Sequence, residues 1–292
     1  MTFTEEFVQR GQHRIYVREY AGEEPTIILM HGFPDNLHLY DRLVPYLSPT
    51  RRVITFDFLG WGSSDKPPDY PYTASNQEGD LDAVIQQLNL GQVVLVAHDA
   101  SGPPAIDWAL HHPDQVAALV LLNTYYCAMS ALRPPEAIFL FSTPFIRSVA
   151  RPIAKMFNNF IFRRMYWWQV GRFFRDEEIR NQFVPLLYQQ FDAVPSARSA
   201  FFRLNEDLLP TVRSRVKMTS RLKEFERPVR IIFGADDPYL NKGVAQRFHE
   251  LFSTSDLFLL PTARHFVQMD ESEQVARLIL STSTIKKTRT EL

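Results

Sequence analysis

The sequence predicts an α/β protein with a mostly parallel, eight-stranded sheet, helices on both faces and an inserted helical segment. Three observations carry this expectation. Short continuous apolar runs recur at intervals that leave room for helices, the pattern of strands buried on both faces of a parallel sheet. Between Tyr125 and about Val216 the strand signal disappears and helical periodicity replaces it. And the run Val93-Val94-Leu95-Val96-Ala97 stops abruptly in His98-Asp99-Ala100-Ser101-Gly102, the mark of a strand, a sharp turn and a helix beginning at Ser101.

In chain order, Glu6 to Tyr20 reads as a hairpin around Gly11-Gln12, with the alternation Arg14-Ile15-Tyr16-Val17-Arg18 in its second arm. Apolar strands follow at Thr26–Met30, Val53–Phe56 and Val93–Ala97, then the helical stretch Ala105–His112 and a strand at Ala118–Leu122. Two late units complete the sheet: Val229–Phe233 with a helix from about Lys242 to Phe252, and Leu257–Leu260 with a helix around Glu273–Leu280. The insertion is rich in Phe, Trp, Tyr, Arg and Pro, with helical periodicity in Ile146–Phe162 and Glu177–Phe191. We therefore expect a core of residues 1–127 and 213–282, a helical cap of 128–212 and a flexible polar tail of 283–292. Such a cap would roof the carboxyl edge of the sheet, where open α/β sheets bind ligands. Most of its aromatics then serve to pack cap against core.

Composition narrows the partners. Over 292 residues, 45% hydrophobic and 22% charged, a sizeable core is available. A net charge of -1 gives no support for nucleic acid as a partner. The pairs and runs of cations, Arg163-Arg164 and Lys223 to Arg230, read as solvated surface. A single cysteine, Cys127, excludes an intramolecular disulfide and a cysteine metal cluster. The acidic, polar start Met1-Thr2-Phe3-Thr4-Glu5-Glu6 is no secretory signal, and no stretch approaches the roughly 18 apolar residues of a membrane span. The expectation is a cytoplasmic monomer or homodimer acting on a small molecule, without metal or organic cofactor and without a membrane partner.

Four segments can converge on one site. The first is the turn at Asp99, where Ala97 and Ser101 are the small residues a tight strand-to-helix elbow needs on either side of its tip. A carboxylate there, instead of a hydroxyl, suits attack on an alkyl carbon. Asp99 as a plain helix N-cap and Ser101 as a rival nucleophile are the competing readings, and His98 is read as a structural neighbour. The second is His31-Gly32-Phe33-Pro34-Asp35, after the strand ending at Met30. Its loop can aim the Phe33 backbone N–H at a developing negative charge, with the Ala100 N–H as partner. The third is Phe233-Gly234-Ala235-Asp236-Asp237-Pro238, where either aspartate could orient an imidazole. The fourth is Pro261-Thr262-Ala263-Arg264-His265-Phe266, whose histidine can act as base toward water.

These residues give the chain its resemblance to the α/β-hydrolase superfamily, and within it to the aspartate-nucleophile branch of epoxide hydrolases and haloalkane dehalogenases. The resemblance runs from about Phe7 to Leu280 and implies the α/β-hydrolase fold. His31-Gly32-Phe33-Pro34 is similar to the oxyanion loop of epoxide hydrolases. Asp57-Phe58-Leu59-Gly60-Trp61-Gly62-Ser63-Ser64 resembles a turn that marks the superfamily without catalytic duty. His98-Asp99 resembles the elbow of this branch, His265-Phe266-Val267-Gln268 its histidine loop, and in Gly234-x-x-Asp237-Pro the family's acid position falls on Asp237. The order nucleophile, acid, histidine is that of α/β hydrolases.

The resemblance implies covalent catalysis: Asp99 forms an alkyl ester, and His265, oriented by Asp237, activates the water that cleaves it. It leaves the leaving group open. Dehalogenases of this branch generally carry a Trp after the nucleophile and an Asn in the oxyanion loop or a Trp in the cap, and fluoroacetate-type enzymes an Arg after the nucleophile. Here those positions hold Ala100 and Phe33, with Trp167 and Trp168 as possible cap donors. Epoxide hydrolases commonly protonate the departing oxygen with two cap tyrosines. Tyr166 fits the first, while Ala200-Phe201-Phe202-Arg203 has phenylalanine where the second is expected, leaving Tyr188 or Tyr239 as substitutes. Epoxide hydrolysis is the first expectation, haloalkane hydrolysis the alternative, and an inactive ligand-binding or signalling relative the third.

Overall fold

The computed structural model describes residues 2–156 and 158–282; the tail expected over 283–292 lies outside them. Eight strands form one sheet: β1 (Thr4–Arg10), β2 (His13–Tyr20), β3 (Thr26–Met30), β4 (Val53–Phe56), β5 (Val93–Asp99), β6 (Val116–Thr124), β7 (Val229–Gly234) and β8 (Ser255–Leu260). Their spatial order is β1-β2-β4-β3-β5-β6-β7-β8. Only β2 runs against the rest: it pairs antiparallel with β1 and β4, and every later pairing is parallel. The hairpin turns at Gly11, whose φ of +63° a side chain would resist.

Most strands that read as unbroken apolar runs lie inside the sheet; the exception is β8, an edge strand that is mostly half-buried. All five residues of β3 are buried, and β5 and β6 are buried along nearly their whole length. The helices expected from periodicity are present. Ala74–Gln87 is capped by the Thr73 side chain accepting from the Asn76 amide, and it turns Gln77, Leu81, Val84 and Ile85 inward. Gly102–His111, Lys242–Leu251 and Ser272–Leu280 supply the other long helices of the core.

Between β6 and β7 the described residues form no strand. They fold into helices at Glu136–Ser142, Pro144–Met156, Asn158–Gly171, Glu177–Asp192 and Arg198–Ser214, followed by the short turns Arg215–Met218 and Thr219–Glu224. The single helical stretch expected over Ile146–Phe162 is thus two helices, and the last long helix crosses the boundary expected at 212/213. Aromatic packing ties the group together: the Phe141 ring lies 5.2 Å from Phe202 and 5.6 Å from Phe201, centroid to centroid. Among the described residues no helix is long and apolar enough to cross a membrane.

Candidate active site

Asp99 ends β5 with φ at +48°, in the left-handed region that non-glycine residues seldom occupy. Holding it there costs on the order of 1–3 kcal/mol, a strain that surrounding contacts must offset. They are visible. Gly32 brings the neighbouring loop so close that a Cβ on it would sit 2.5 Å from the Asp99 Cβ, so only glycine fits. Thr124 Oγ1 donates to the Asp99 carbonyl oxygen. The Phe33 amide donates to Asp99 Oδ2 at 3.2 Å, the contact expected of an oxyanion loop. Burial pushes the Asp99 carboxyl above the usual range, against the opposing pull of His265 and the Phe33 and Ala100 amides.

His265 Nδ1 lies 2.7 Å from Asp237 Oδ2. Asp237 in turn accepts from Asn123 Nδ2 at 2.9 Å and from the amides of Tyr239 and Leu240 at 2.8 and 3.2 Å. Burial alone would raise Asp237, but the charge and hydrogen bond of His265, with these donors, hold it below the usual carboxylate range. For His265 burial opposes protonation, yet Asp237 first, then Asp99 and Asp35, raise it to about 9. That value favours the charged imidazole at neutral pH, hydrogen-bonded to Asp237 and in the field of Asp99. Asp236, left open by the residues alone, points away and pairs with Arg175 Nη1 at 3.0 Å on the surface.

The competing nucleophile is otherwise engaged. Ser101 Oγ accepts from the His98 amide and lies 2.8 Å from both the Met30 and His98 carbonyl oxygens, fully buried beneath the elbow. His98 is likewise structural: its Nε2 meets the His265 carbonyl oxygen at 3.1 Å, and burial drives its pKa well down, so it stays neutral. His31 clamps the loop His31–Asp35, its Nδ1 on the Gly32 carbonyl at 2.6 Å and its Nε2 accepting from the Phe58 amide at 3.1 Å. In the Asp57 turn the carboxylate accepts from the Leu37 and Ser63 amides, each at 2.8 Å, which is a structural duty.

Asp99 and His265 open into a cavity of about 70 Å³ whose wall is mostly apolar, with Phe33 and Pro34 from the sheet side and Ile138, Phe162 and Phe201 from the inserted helices. That is space for a small molecule rather than a single water. Of the five donor candidates in or near the insertion, Tyr166 and Tyr239 line it, and Trp167, Trp168 and Tyr188 do not. Trp168 is 50% exposed, with Arg172 over its ring at 4.9 Å. Tyr188 donates to Asp192 at 3.2 Å.

Three residues escaped the sequence reading. Tyr125, just past the end of β6, lines the cavity. Asn123 supports Asp237. Asp35, 2% exposed, has an Oδ1 without a partner and is pushed up to about 8 by burial and by Asp99. A carboxylate in the otherwise apolar loop His31–Asp35, and an aromatic pair at the end of the strand beside the elbow, were the available signals.

Residues 25–272 match the alpha/beta hydrolase fold family. The chain is 25% identical over 281 residues to LipZ of Mycobacterium tuberculosis, whose name calls it a hydrolase without a substrate, covering 92% of this chain and 91% of that one. It is 32% identical over 165 residues to a cis-3-alkyl-4-alkyloxetan-2-one decarboxylase of Shewanella oneidensis, 55% of this chain and 50% of that one. Among solved structures, the haloalkane dehalogenase DbeA of Bradyrhizobium elkani superposes with a TM-score of 0.79 at 20% identity, covering 97% of this chain and 99% of that one. The epoxide hydrolase CorEH does so at 0.78 and 18% identity, with the same coverage. At such identities the two structures speak to the fold alone.

Proposed function

The chain belongs to the alpha/beta hydrolase fold family, and from that premise we propose that it hydrolyses a small, largely apolar electrophile through a covalent ester on Asp99. One observation carries the reading: the elbow holds a buried carboxylate, not a hydroxyl, against the Phe33 amide and in the field of a His265–Asp237 pair. A carboxylate attacking a carbonyl gives a reactive anhydride, whereas attack on a saturated carbon gives an ester that water can cleave. In the second step His265 Nε2 takes a proton from water, the hydroxide adds to the Asp99 carbonyl, and the Phe33 and Ala100 amides hold the oxyanion. Residues 128–212 act as the cap that keeps bulk water from the ester.

The electrostatics fit this sequence of events. Asp99 in its charged form helps keep His265 protonated. Once Asp99 is esterified that charge is gone, so the imidazole releases its proton and becomes the base the second step needs. Epoxides are the preferred substrates. Their leaving oxygen needs a proton, and hydroxyl groups line this cavity. The tryptophans that could hold a halide do not. The oxetanone relative supports a wider class of strained oxygen rings as the second reading.

The test is mass spectrometry of His265→Gln incubated with terminal epoxides, alkyl bromides and a β-lactone. An epoxide adduct retains every atom of the substrate, whereas a bromide adduct lacks the halogen, so the mass gain names the class. We expect the whole-epoxide gain on the Asp99 peptide. Absence of any gain, or its persistence in Asp99→Asn, would overturn the reading, and no turnover by the wild type on any substrate would favour a binding protein.

A further inference from the structure

Opening an epoxide requires an acid near the departing oxygen, and the hydroxyls of the inserted helices are already committed. Tyr166 donates to the Pro34 carbonyl oxygen at 2.9 Å. Tyr239, in the loop after β7, donates to Glu136 Oε2 at 2.8 Å and accepts from Gln169 Nε2 at 3.2 Å. Tyr125 differs. It is 7% exposed and lines the same cavity as Asp99 and His265, and its hydroxyl makes no hydrogen bond to a described residue. It is also rigidly placed. Thr124, its neighbour, pairs in register with Asp99 across β5 and β6 and holds the Asp99 carbonyl. A Cβ on Gly102 would sit 2.0 Å from Thr124 Oγ1 and 2.5 Å from the Tyr125 carbonyl oxygen, so the helix after the elbow docks directly on this corner.

We propose that Tyr125, from the end of a core strand, is the acid that protonates the departing epoxide oxygen in place of a cap tyrosine. This rests on the Asp99 ester reading above. Asp99 Oδ2 forms the bond to the ring carbon, the carbon–oxygen bond breaks, and the ring oxygen takes the Tyr125 phenolic proton. The phenolate regains a proton as the His265 imidazolium gives one up. His265 then recovers its proton from the hydrolytic water, Asp99 returns to a carboxylate, and the sum is epoxide plus water to diol. Burial raises the Tyr125 pKa well above its ordinary value, and the Asp99 charge raises it further. Esterification removes that second contribution while the alkoxide forms, so Tyr125 becomes a better acid during the step that needs one.

Rates of adduct formation in His265→Gln, with and without Tyr125→Phe, test this without interference from ester hydrolysis. Two substrates are compared, propylene oxide and its trifluoromethyl analogue, whose alkoxide is far less basic. Removing the hydroxyl is expected to slow propylene oxide about 10²-fold or more and the fluorinated oxide much less, as for the loss of a general acid. Equal rates with and without Tyr125→Phe would overturn the assignment. An equal loss on both oxides would also overturn it, because Tyr125 would then be holding the site's shape. No adduct in His265→Gln alone would mean that the ester reading itself had failed, and the Tyr125 assignment with it.

Discussion

His265 Nδ1 and Asp237 Oδ2 stand 2.7 Å apart, and Asp237 spends its remaining acceptor capacity on Asn123 and two backbone amides. The carboxylate is fixed before the imidazole meets it, so it dictates which ring nitrogen carries the proton. Nδ1 is the donor to Asp237, which leaves Nε2 for water. Asp237→Asn keeps the shape but presents an amide that can donate to Nδ1 and turn the tautomer around. We expect kcat to fall about 10³-fold or more, with the ester accumulating, as seen by mass spectrometry of the quenched reaction.

The same pair makes stability depend on pH in a defined direction. Folding raises His265 to about 9, above its ordinary value near 6.5. Its contribution is complete below pH 6.5 and disappears as the pH rises through about 9. Urea midpoints of the wild type and His265→Gln should therefore differ most near pH 6 and converge near pH 10. The difference that is lost is at most ~3 kcal/mol. Parallel curves would contradict this.

Asp35 acts with the opposite consequence for a substitution. Its carboxyl is held neutral up to about 8, whereas in the unfolded chain it ionises near 4. Between those values the folded state binds the extra proton, so stability falls as the pH rises. Asp35→Asn removes the penalty. Thermal midpoints of the variant and wild type should be similar near pH 4 and separate by several degrees in the variant's favour by pH 8.

Ser101→Ala separates the two possible nucleophiles. The hydroxyl is buried among backbone groups, so its loss should lower stability by about 1–2 kcal/mol while leaving kcat within tenfold. Abolished turnover by a folded Ser101→Ala protein would reopen the choice.

What could be read in advance was whatever the chain writes locally. An apolar run that ends in Asp99 between Ala97 and Ser101 announces both the strand and its turn, because each requirement is met by neighbours in sequence. The parallel sheet was legible for the same reason. Tyr125 and Asp35 were not, since a carboxylate in an apolar loop and an aromatic pair at a strand's end fit ordinary packing as well as a cavity; only their distant neighbours decide. Which of Tyr166, Trp167, Trp168, Tyr188 and Tyr239 reach the cavity was equally hard to read. Consecutive residues on one helix face different ways, and which way is inward depends on helices far along the chain. Trp168 turned to solvent and Tyr166 to the cavity, two residues apart.

The ester on Asp99 is tested most directly by a single turnover of the wild type in ¹⁸O-water, with enzyme in excess over an epoxide, followed by mass analysis of the peptides. Water that attacks the ester carbonyl leaves one ¹⁸O in the enzyme. Label in the peptide containing Asp99, and unlabelled diol from the first turnover, is the expected result. Label in the diol alone, with none in the Asp99 peptide, would mean that water attacks the substrate directly and that no ester forms.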